Sequence, residues 1–172
     1  MKVSVLIPTY NRHHALAITL TALAAQTWKD LELVISDQSD VFAGDDQSVR
    51  TLIRLLEMQH LTVRLVRNLP RRGIAQQRHF LLEQASAPYV LFLDDDVVLE
   101  PDAVERMVTS LRQEPVGFCG MAPVGLSYLN DVRPHQQQIE IWEGPVRPEI
   151  IRPGKKEWFR YPLHSAANMY HA

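Results

Sequence analysis

Cysteine is almost absent: Cys119 is the only one in 172 residues. No disulfide can form within the chain, which fits a reducing compartment. Cys119 lies in the small, apolar run Gly117–Met121, where a buried structural thiol is expected. An excess of charge is also lacking. The formal net charge is −2, which offers no non-specific grip on nucleic acid or on an anionic membrane. Long hydrophobic runs are missing, and no stretch approaches the ~20 apolar residues of a transmembrane segment. Between Lys2 and Pro8 stand only five largely apolar residues, followed by no small-residue cleavage site, so no signal peptide is expected. The default location is the cytoplasm. There is no internal repeat and no low-complexity tract.

What is there is ordinary in amount and specific in order. Apolar residues make up 46% and charged residues 22%, the balance of a soluble globular protein. The length suits one domain with a sizeable core. Val3-Ser4-Val5-Leu6-Ile7 is a short β-branched run stopped by Pro8, the pattern of a strand buried on both faces. Asn11 is placed to cap a helix with Leu16, Leu20, Leu23 and Ala24 on one side. Leu31–Ile35 reads as a second strand and Val49–Gln59 as a helix with Leu52, Ile53, Leu55 and Leu56 on its apolar side. Leu61–Val66 follows as a strand, Ile74–Gln84 as a helix and Tyr89–Leu93 as the most apolar strand. Pro101 marks a last helix start, with Val104, Val108 and Leu111 as its stripe up to Pro115.

This alternation predicts an α/β fold with a mostly parallel sheet flanked by helices. Ligands bind such sheets beyond the carboxyl ends of the strands. The loops to read are therefore Pro8–Arg12, Ser36–Asp46, Arg67–Gly73 and Asp94–Glu100. From Gly117 onward prolines are frequent, and Gln136–Trp142 is the one stretch with a strand-like pattern. Residues 1–115 are taken as the α/β region. Residues 116–172 are taken as a continuation of the same domain that covers one side of the sheet.

Asp94-Asp95-Asp96 directly follows the fourth strand. Three adjacent carboxylates repel one another. Full solvation would relieve them, as an acidic turn before the Pro101 helix. So would a hard divalent cation such as Mg²⁺ or Mn²⁺, which takes carboxylate oxygens together with substrate phosphates. Asp37 also follows an apolar strand; it either makes a turn with Ser39 or accepts a hydrogen bond from a base N–H. Pro8-Thr9-Tyr10-Asn11-Arg12 brings backbone amides, a hydroxyl, an aromatic face and a guanidinium, or simply ends a strand and starts a helix. Arg67, Arg71, Arg72 and Arg78 surround Gly73 at a helix start, a setting that favours anions when it is more than a solvated charged face.

The order of these pieces resembles family 2 glycosyltransferases. Val3 to Arg12 is similar to the family's opening almost residue for residue. Ser36-Asp37-Gln38-Ser39-Asp40 resembles its Asp-Asp-Gly-Ser-x-Asp segment. Gly73-Ile74-Ala75-Gln76-Gln77-Arg78-His79 resembles Gly-x-Ala-x-Ala-Arg-Asn, and Phe92-Leu93-Asp94-Asp95-Asp96 its Asp-x-Asp motif, with Pro101 following. The likeness is strong from Val3 to about Leu111 and weaker beyond. It implies the glycosyltransferase A-type, Rossmann-like fold, with its C-terminal part incomplete here, and a nucleoside-diphosphate-sugar donor. The leading choice of donor is a UDP-sugar. Carried over by position, Pro8, Thr9, Tyr10 and Asp37 would contact base and ribose, with Arg12, Gly73, Arg78, Asp94 and Asp95 completing the donor site. Arg78 would lie near the diphosphate. Asp96, with Asp94, would hold Mg²⁺ or Mn²⁺. Ser36 stands where Asp is usual, Gln38 where Gly is usual and His79 where Asn is usual, so base preference is less well defined than fold.

The same resemblance implies transfer with inversion to a saccharide or lipid-linked acceptor, helped by a general base well past the Asp-x-Asp motif. Leu163–Met169 looks like the stretch shortly before that base, so the base itself is expected beyond Ala172. The chain alone is then expected to bind donor and transfer little sugar. Within the chain, His164, His171, Glu140 and Glu157 are the fallback candidates, and Trp142 and Trp158 could stack on a sugar or pack in the core. A membrane-bound acceptor would leave the protein peripheral to the inner face of the membrane. A nucleotidyltransferase is the rival enzyme, weakened by the lack of glycine in Pro8–Arg12. A non-catalytic nucleotide-sugar-binding protein is the rival from another class.

Overall fold

The computed structural model describes residues 1–114, 116–121 and 167–171. In chain order the elements are β1 (Val3–Thr9), α1 (His13–Ala24), β2 (Leu31–Asp37), α2 (Gln47–Met58), β3 (Thr62–Arg67), α3 (Ile74–Gln84), β4 (Tyr89–Leu93), α4 (Ala103–Gln113), β5 (Phe118–Met121) and β6 (Ala167–His171), with a short 3₁₀ turn at Ala43–Asp45. Six strands form one sheet in the order β3-β2-β1-β4-β6-β5. Strand β1 is parallel to both β2 and β4, and β2 is parallel to β3. Strand β6 runs antiparallel between β4 and β5. The expected parallel core is present, then, and the sheet is extended by a reversed strand. Among the described residues no helix is long and apolar enough to cross a membrane.

Every residue of β1 and β2 is buried, as their near-continuous apolar runs require of central parallel strands. Side chains alternate between the two faces. Val3, Val5, Ile7, Leu31, Leu33, Ile35, Leu91 and Leu93 meet α1, α2 and α4 through Leu16, Leu20, Leu23, Val49, Leu56, Val104 and Met107. On the opposite face Leu6, Val34 and Val90 meet Leu81 of α3. Cys119 is buried, as expected; burial pushes its thiol up to about 11, and it lies 3.6 Å from the Met107 carbonyl.

Several element starts differ from expectation. Asn11 does not cap α1. It sits at φ 53°, a left-handed geometry that Asn tolerates better than most residues, and Arg12 takes the cap position with no side-chain cap bond. Helix α2 begins two residues before Val49, because the Asp46 carboxylate accepts from the Val49 amide at 3.0 Å. Strands β5 and β6 were not legible as strands. The Gln136–Trp142 pattern, Trp142, Trp158, His164, Glu140 and Glu157 lie outside the described residues.

Helix α3 is held at both ends by buried polar groups. At one end Glu32 points from β2 toward the residues just past α3. Its carboxylate accepts from the Ser4 hydroxyl (2.5 Å), the Ser86 amide (2.7 Å), the Ser86 hydroxyl (2.6 Å) and Lys2 (3.0 Å). Burial alone would raise the Glu32 pKa, but the bonds from Ser4, Ser86 and Lys2 outweigh it and lower the value from 4.5 to about 2. At the other end the buried Gln77 carboxamide donates to the carbonyls of Thr9 (3.1 Å) and Ser36 (2.9 Å). These bonds tie α3 to the carboxyl ends of β1 and β2.

Two outcomes are expected. Glu32 has a folded-state pKa below its unfolded one, so its stabilising contribution is present above about pH 4.5 and is lost as the pH falls toward 2. Glu32→Gln should remove that part of the pH dependence in urea titrations between those limits. At pH 7 it should cost roughly 1–3 kcal/mol. Gln77→Met keeps the length of the side chain and deletes both donors; unfolding midpoints should show a loss on the order of 1–3 kcal/mol. A change within error of zero would mean that water takes over the two carbonyls.

Candidate active site

The carboxyl ends of β1, β2 and β4 and the start of α3 enclose a cleft of about 400 Å³. It is lined by Pro8, Thr9, Tyr10, Arg12, Gln38, Arg71, Gly73, Ile74, Gln77, Arg78, Asp94, Asp95 and Asp96. Nine of the ten residues assigned to the donor and metal site thus share one surface, and Asp37 is the exception. A shallower hollow of about 260 Å³ beside α4, lined by Asp102, Glu105, Arg106, Thr109 and Ser110, is one helix surface with no convergent chemistry.

The three carboxylates take different environments although they are adjacent. Asp95 turns inward and is 4% exposed. It accepts from the Thr9 hydroxyl at 2.7 Å and pairs with Arg12 at 3.1 Å. Burial raises its pKa, and the Thr9 bond and the Arg12 charge counter that rise. Asp96 pairs with the second nitrogen of the same Arg12 guanidinium at 2.6 Å. The Arg12 pKa is raised in turn, first by its bond to Asp96 and then by the charge of Asp95. Asp94 pairs with Arg78 of α3 at 2.7 Å. Solvation and a divalent cation were the two expected ways of relieving the repulsion; two arginines supply a third.

The other walls follow from the loops. The Arg71 guanidinium lies 3.8 Å from the centre of the Tyr10 ring, a cation–π contact. Gly73 sits at φ 88°, where a side chain would be strained, and starts α3 with its amide end toward the cleft. Arg67 lies outside, with its guanidinium 5.8 Å from the centre of the Phe42 ring and donating to the Asp40 carbonyl at 3.2 Å. Asp37 is fully buried. Its two oxygens accept from the amides of Ser39 (2.8 Å) and Ala43 (2.7 Å), so it braces the second loop. The first loop is stapled to the second by Asn11, which donates to the Asp40 carboxylate (2.7 Å) and accepts from the Asp40 amide (2.9 Å).

Two glutamines were overlooked as site residues. Gln38 accepts through its side-chain oxygen from the amides of Arg72 (3.2 Å) and Gly73 (3.3 Å) and donates to Gln76 (3.0 Å). It holds the third loop over the cleft. Gln77 stands where the resemblance has Ala. The available signal was that a polar, long side chain replaced a small one at a strand-facing position.

Within the cleft the carboxylates with exposed oxygens are Asp94 and Asp96, whose side chains are 37% and 46% exposed, while Asp95 is buried. No group of three or more His, Cys, Asp or Glu side chains forms a ready cage among the described residues. One or two carboxylates completed by phosphate oxygens are what Mg²⁺ or Mn²⁺ uses, so the donor set fits a divalent cation that arrives with a phosphorylated ligand.

Comparison with known proteins bears on the family and the fold. The family model "Glycosyl transferase family 2" matches residues 4–170. Validoxylamine A glucosyltransferase of Streptomyces hygroscopicus subsp. limoneus is 33% identical over 91% of this chain and 34% of its own length. The UDP-Glc:alpha-D-GlcNAc-diphosphoundecaprenol beta-1,3-glucosyltransferase WfgD of Escherichia coli is 27% identical over 67% of this chain and 43% of its own length. The chain thus spans less than half of these relatives. Among solved structures, the mannosyltransferase PcManGT from Pyrobaculum calidifontis, in complex with GDP-Man and Mn²⁺, superimposes with TM-score 0.59 and 27% identity. The match covers 68% of this chain and 34% of that one. S. aureus TarS 1–349 in complex with UDP-GlcNAc gives TM-score 0.54 at 27% identity, over 69% of this chain and 33% of that one. The family match over residues 4–170 shows that the chain belongs to glycosyltransferase family 2, and the solved structures it superimposes on share its glycosyltransferase A-type fold.

Proposed function

We propose that the described residues form the donor half of a metal-assisted, inverting glycosyltransferase. It would take a UDP-sugar and pass the sugar to a saccharide or lipid-linked acceptor, with residues 116–172 beginning the acceptor side of the same domain. The observation that carries this reading is the convergence in one cleft of Asp94 and Asp96 with Arg71, Arg78, the amide end of α3 and the Tyr10 ring. This is the equipment for a base, a diphosphate and a dication. The nucleotide-sugars bound by TarS and PcManGT and the UDP-Glc in the WfgD name support the donor class. The diphosphoundecaprenol in the same name supports a lipid-linked acceptor. An acceptor of that kind would bring the protein to the inner face of the membrane.

Asp94 and Asp96 would hold Mg²⁺ or Mn²⁺, which when bound neutralises charge on the departing diphosphate. The chain's own groups do the rest of the donor work. Arg78 and the first amides of α3 face the diphosphate. Tyr10 offers its ring to the base, with Pro8 and Thr9 beside it. Asp37, fully buried and outside the cleft lining, serves the base side of the site by bracing the second loop through the Ser39 and Ala43 amides. Acceptor deprotonation is assigned to none of the described residues.

A thermal-shift panel of UDP, GDP, CDP and dTDP, each with and without Mn²⁺, tests the donor assignment. UDP at 100 times its Kd should add about 2.7 kcal/mol, and the shift should grow with Mn²⁺. Failure of all four nucleotides to move the melting temperature would refute it. Asp96→Ala should abolish the Mn²⁺-dependent part of the UDP shift and leave the fold intact, since the side chain is half exposed. Parent-like binding of UDP with Mn²⁺ by that variant would remove Asp96 from the metal site.

A further inference from the structure

The geometry points to Arg12 as a displaceable counter-ion that keeps a free divalent cation off Asp96 until a nucleoside diphosphate arrives to take the guanidinium. This inference rests on the donor-site reading above.

The Arg12 guanidinium bridges Asp95 at 3.1 Å and Asp96 at 2.6 Å, using one nitrogen for each. Three carboxylates on consecutive residues are thereby matched by two guanidiniums, since Arg78 takes Asp94 at 2.7 Å. A dication entering alone must break the Arg12–Asp96 pair. That pairing is then lost, the cation shares the mouth of the cleft with the Arg12 charge, and the two like charges repel. A nucleoside diphosphate changes that balance, because its anionic oxygens accept from guanidiniums in the same forked geometry as a carboxylate. Arg12 can then exchange Asp96 for phosphate, and Asp96 is freed for the cation.

The anatomy suits an exchange of partners. The Arg12 side chain is 51% exposed and sits at the cap position of α1 with no side-chain cap bond to lose. Asp95 is fixed independently by the Thr9 hydroxyl at 2.7 Å, so the carboxylate run keeps its place when Arg12 swings out. Metal and diphosphate become coupled ligands, each raising the affinity for the other by the same factor.

The test is a titration of Mn²⁺, followed by its free-ion magnetic-resonance signal, with and without UDP. In the parent protein Mn²⁺ alone should bind weakly, and saturating UDP should tighten it about tenfold or more. Arg12→Met removes the charge and keeps much of the length. It should bind Mn²⁺ alone about tenfold more tightly than the parent, and UDP should then add less. Arg12→Gln must behave in the same way, whereas Arg12→Lys should stay close to the parent. Circular dichroism melts confirm that each variant is folded. Neutral variants that bind Mn²⁺ alone no better than the parent overturn the counter-ion role, even if the parent takes up Mn²⁺ with UDP. Tighter Mn²⁺ binding by both neutral variants supports the role even if UDP has no effect anywhere, in which case the donor-site reading fails by itself.

Discussion

Mutual repulsion among Asp94, Asp95 and Asp96 organises the mouth of the sheet. Strand β4 lies between β1 and β6, so its last residue delivers this charge to the middle of the molecule and not to an edge. Like charges on adjacent residues repel most where water is excluded, as at the buried Asp95. The chain answers by dividing the three: Asp95 inward onto Thr9 and Arg12, Asp96 across to the same Arg12, Asp94 onto Arg78. The loop after β1 and the first turns of α3 are drawn to β4 by those contacts. The ion pairs orient the side chains of the cleft walls, while the packing behind them fixes where the walls stand.

Behind the cleft the two faces of the sheet are held in different ways. Toward α1, α2 and α4 the core is broad and apolar. Toward α3 the buried apolar cluster is small, made by Leu6, Val34, Leu81 and Val90. Apolar contact is non-directional, and four side chains would fix the azimuth of a helix poorly. Hydrogen bonds at Gln77 and around Glu32 are directional and sit at opposite ends of α3. They set both the height and the rotation of the helix that presents Arg78.

The central strands were legible because burial on both faces demands an apolar run, and Val3–Ile7, Leu31–Ile35 and Tyr89–Leu93 supply one. Strand β5 escaped because it is four residues long and includes Gly120; β6 pairs antiparallel with β4 and β5, distant partners in sequence that no local pattern announces. Asn11 looked like a cap because Asn commonly is one, but a partner 29 positions away, Asp40, took its side chain instead. The acidic run and the first loop were found because each follows an apolar strand. Their pairing through Arg12 was not, since Arg12 and Asp96 are 84 positions apart. The turn of Asp37 onto the Ser39 amide was one of the two readings its sequence offered, whereas its second partner, the Ala43 amide, carries no residue signature.

Ser36, Gln38 and Gln77 depart from the resemblance one at a time on paper, yet in space they are neighbours. Gln77 reaches the Ser36 carbonyl, the amide of Gln38 and the carboxamide of Gln77 share the Thr9 carbonyl, and Asn68 closes the group on the Ser36 hydroxyl at 3.1 Å. The carbonyls and the amide in this group belong to the backbone, so Gln77 keeps its acceptors whatever side chain stands at 36 or 38. The Gln38 carboxamide spends its bonds elsewhere, on the Arg72 and Gly73 amides and on Gln76. Adjacent departures thus act on separate parts of the cleft, one on the seat of α3 and the other on the loop before it.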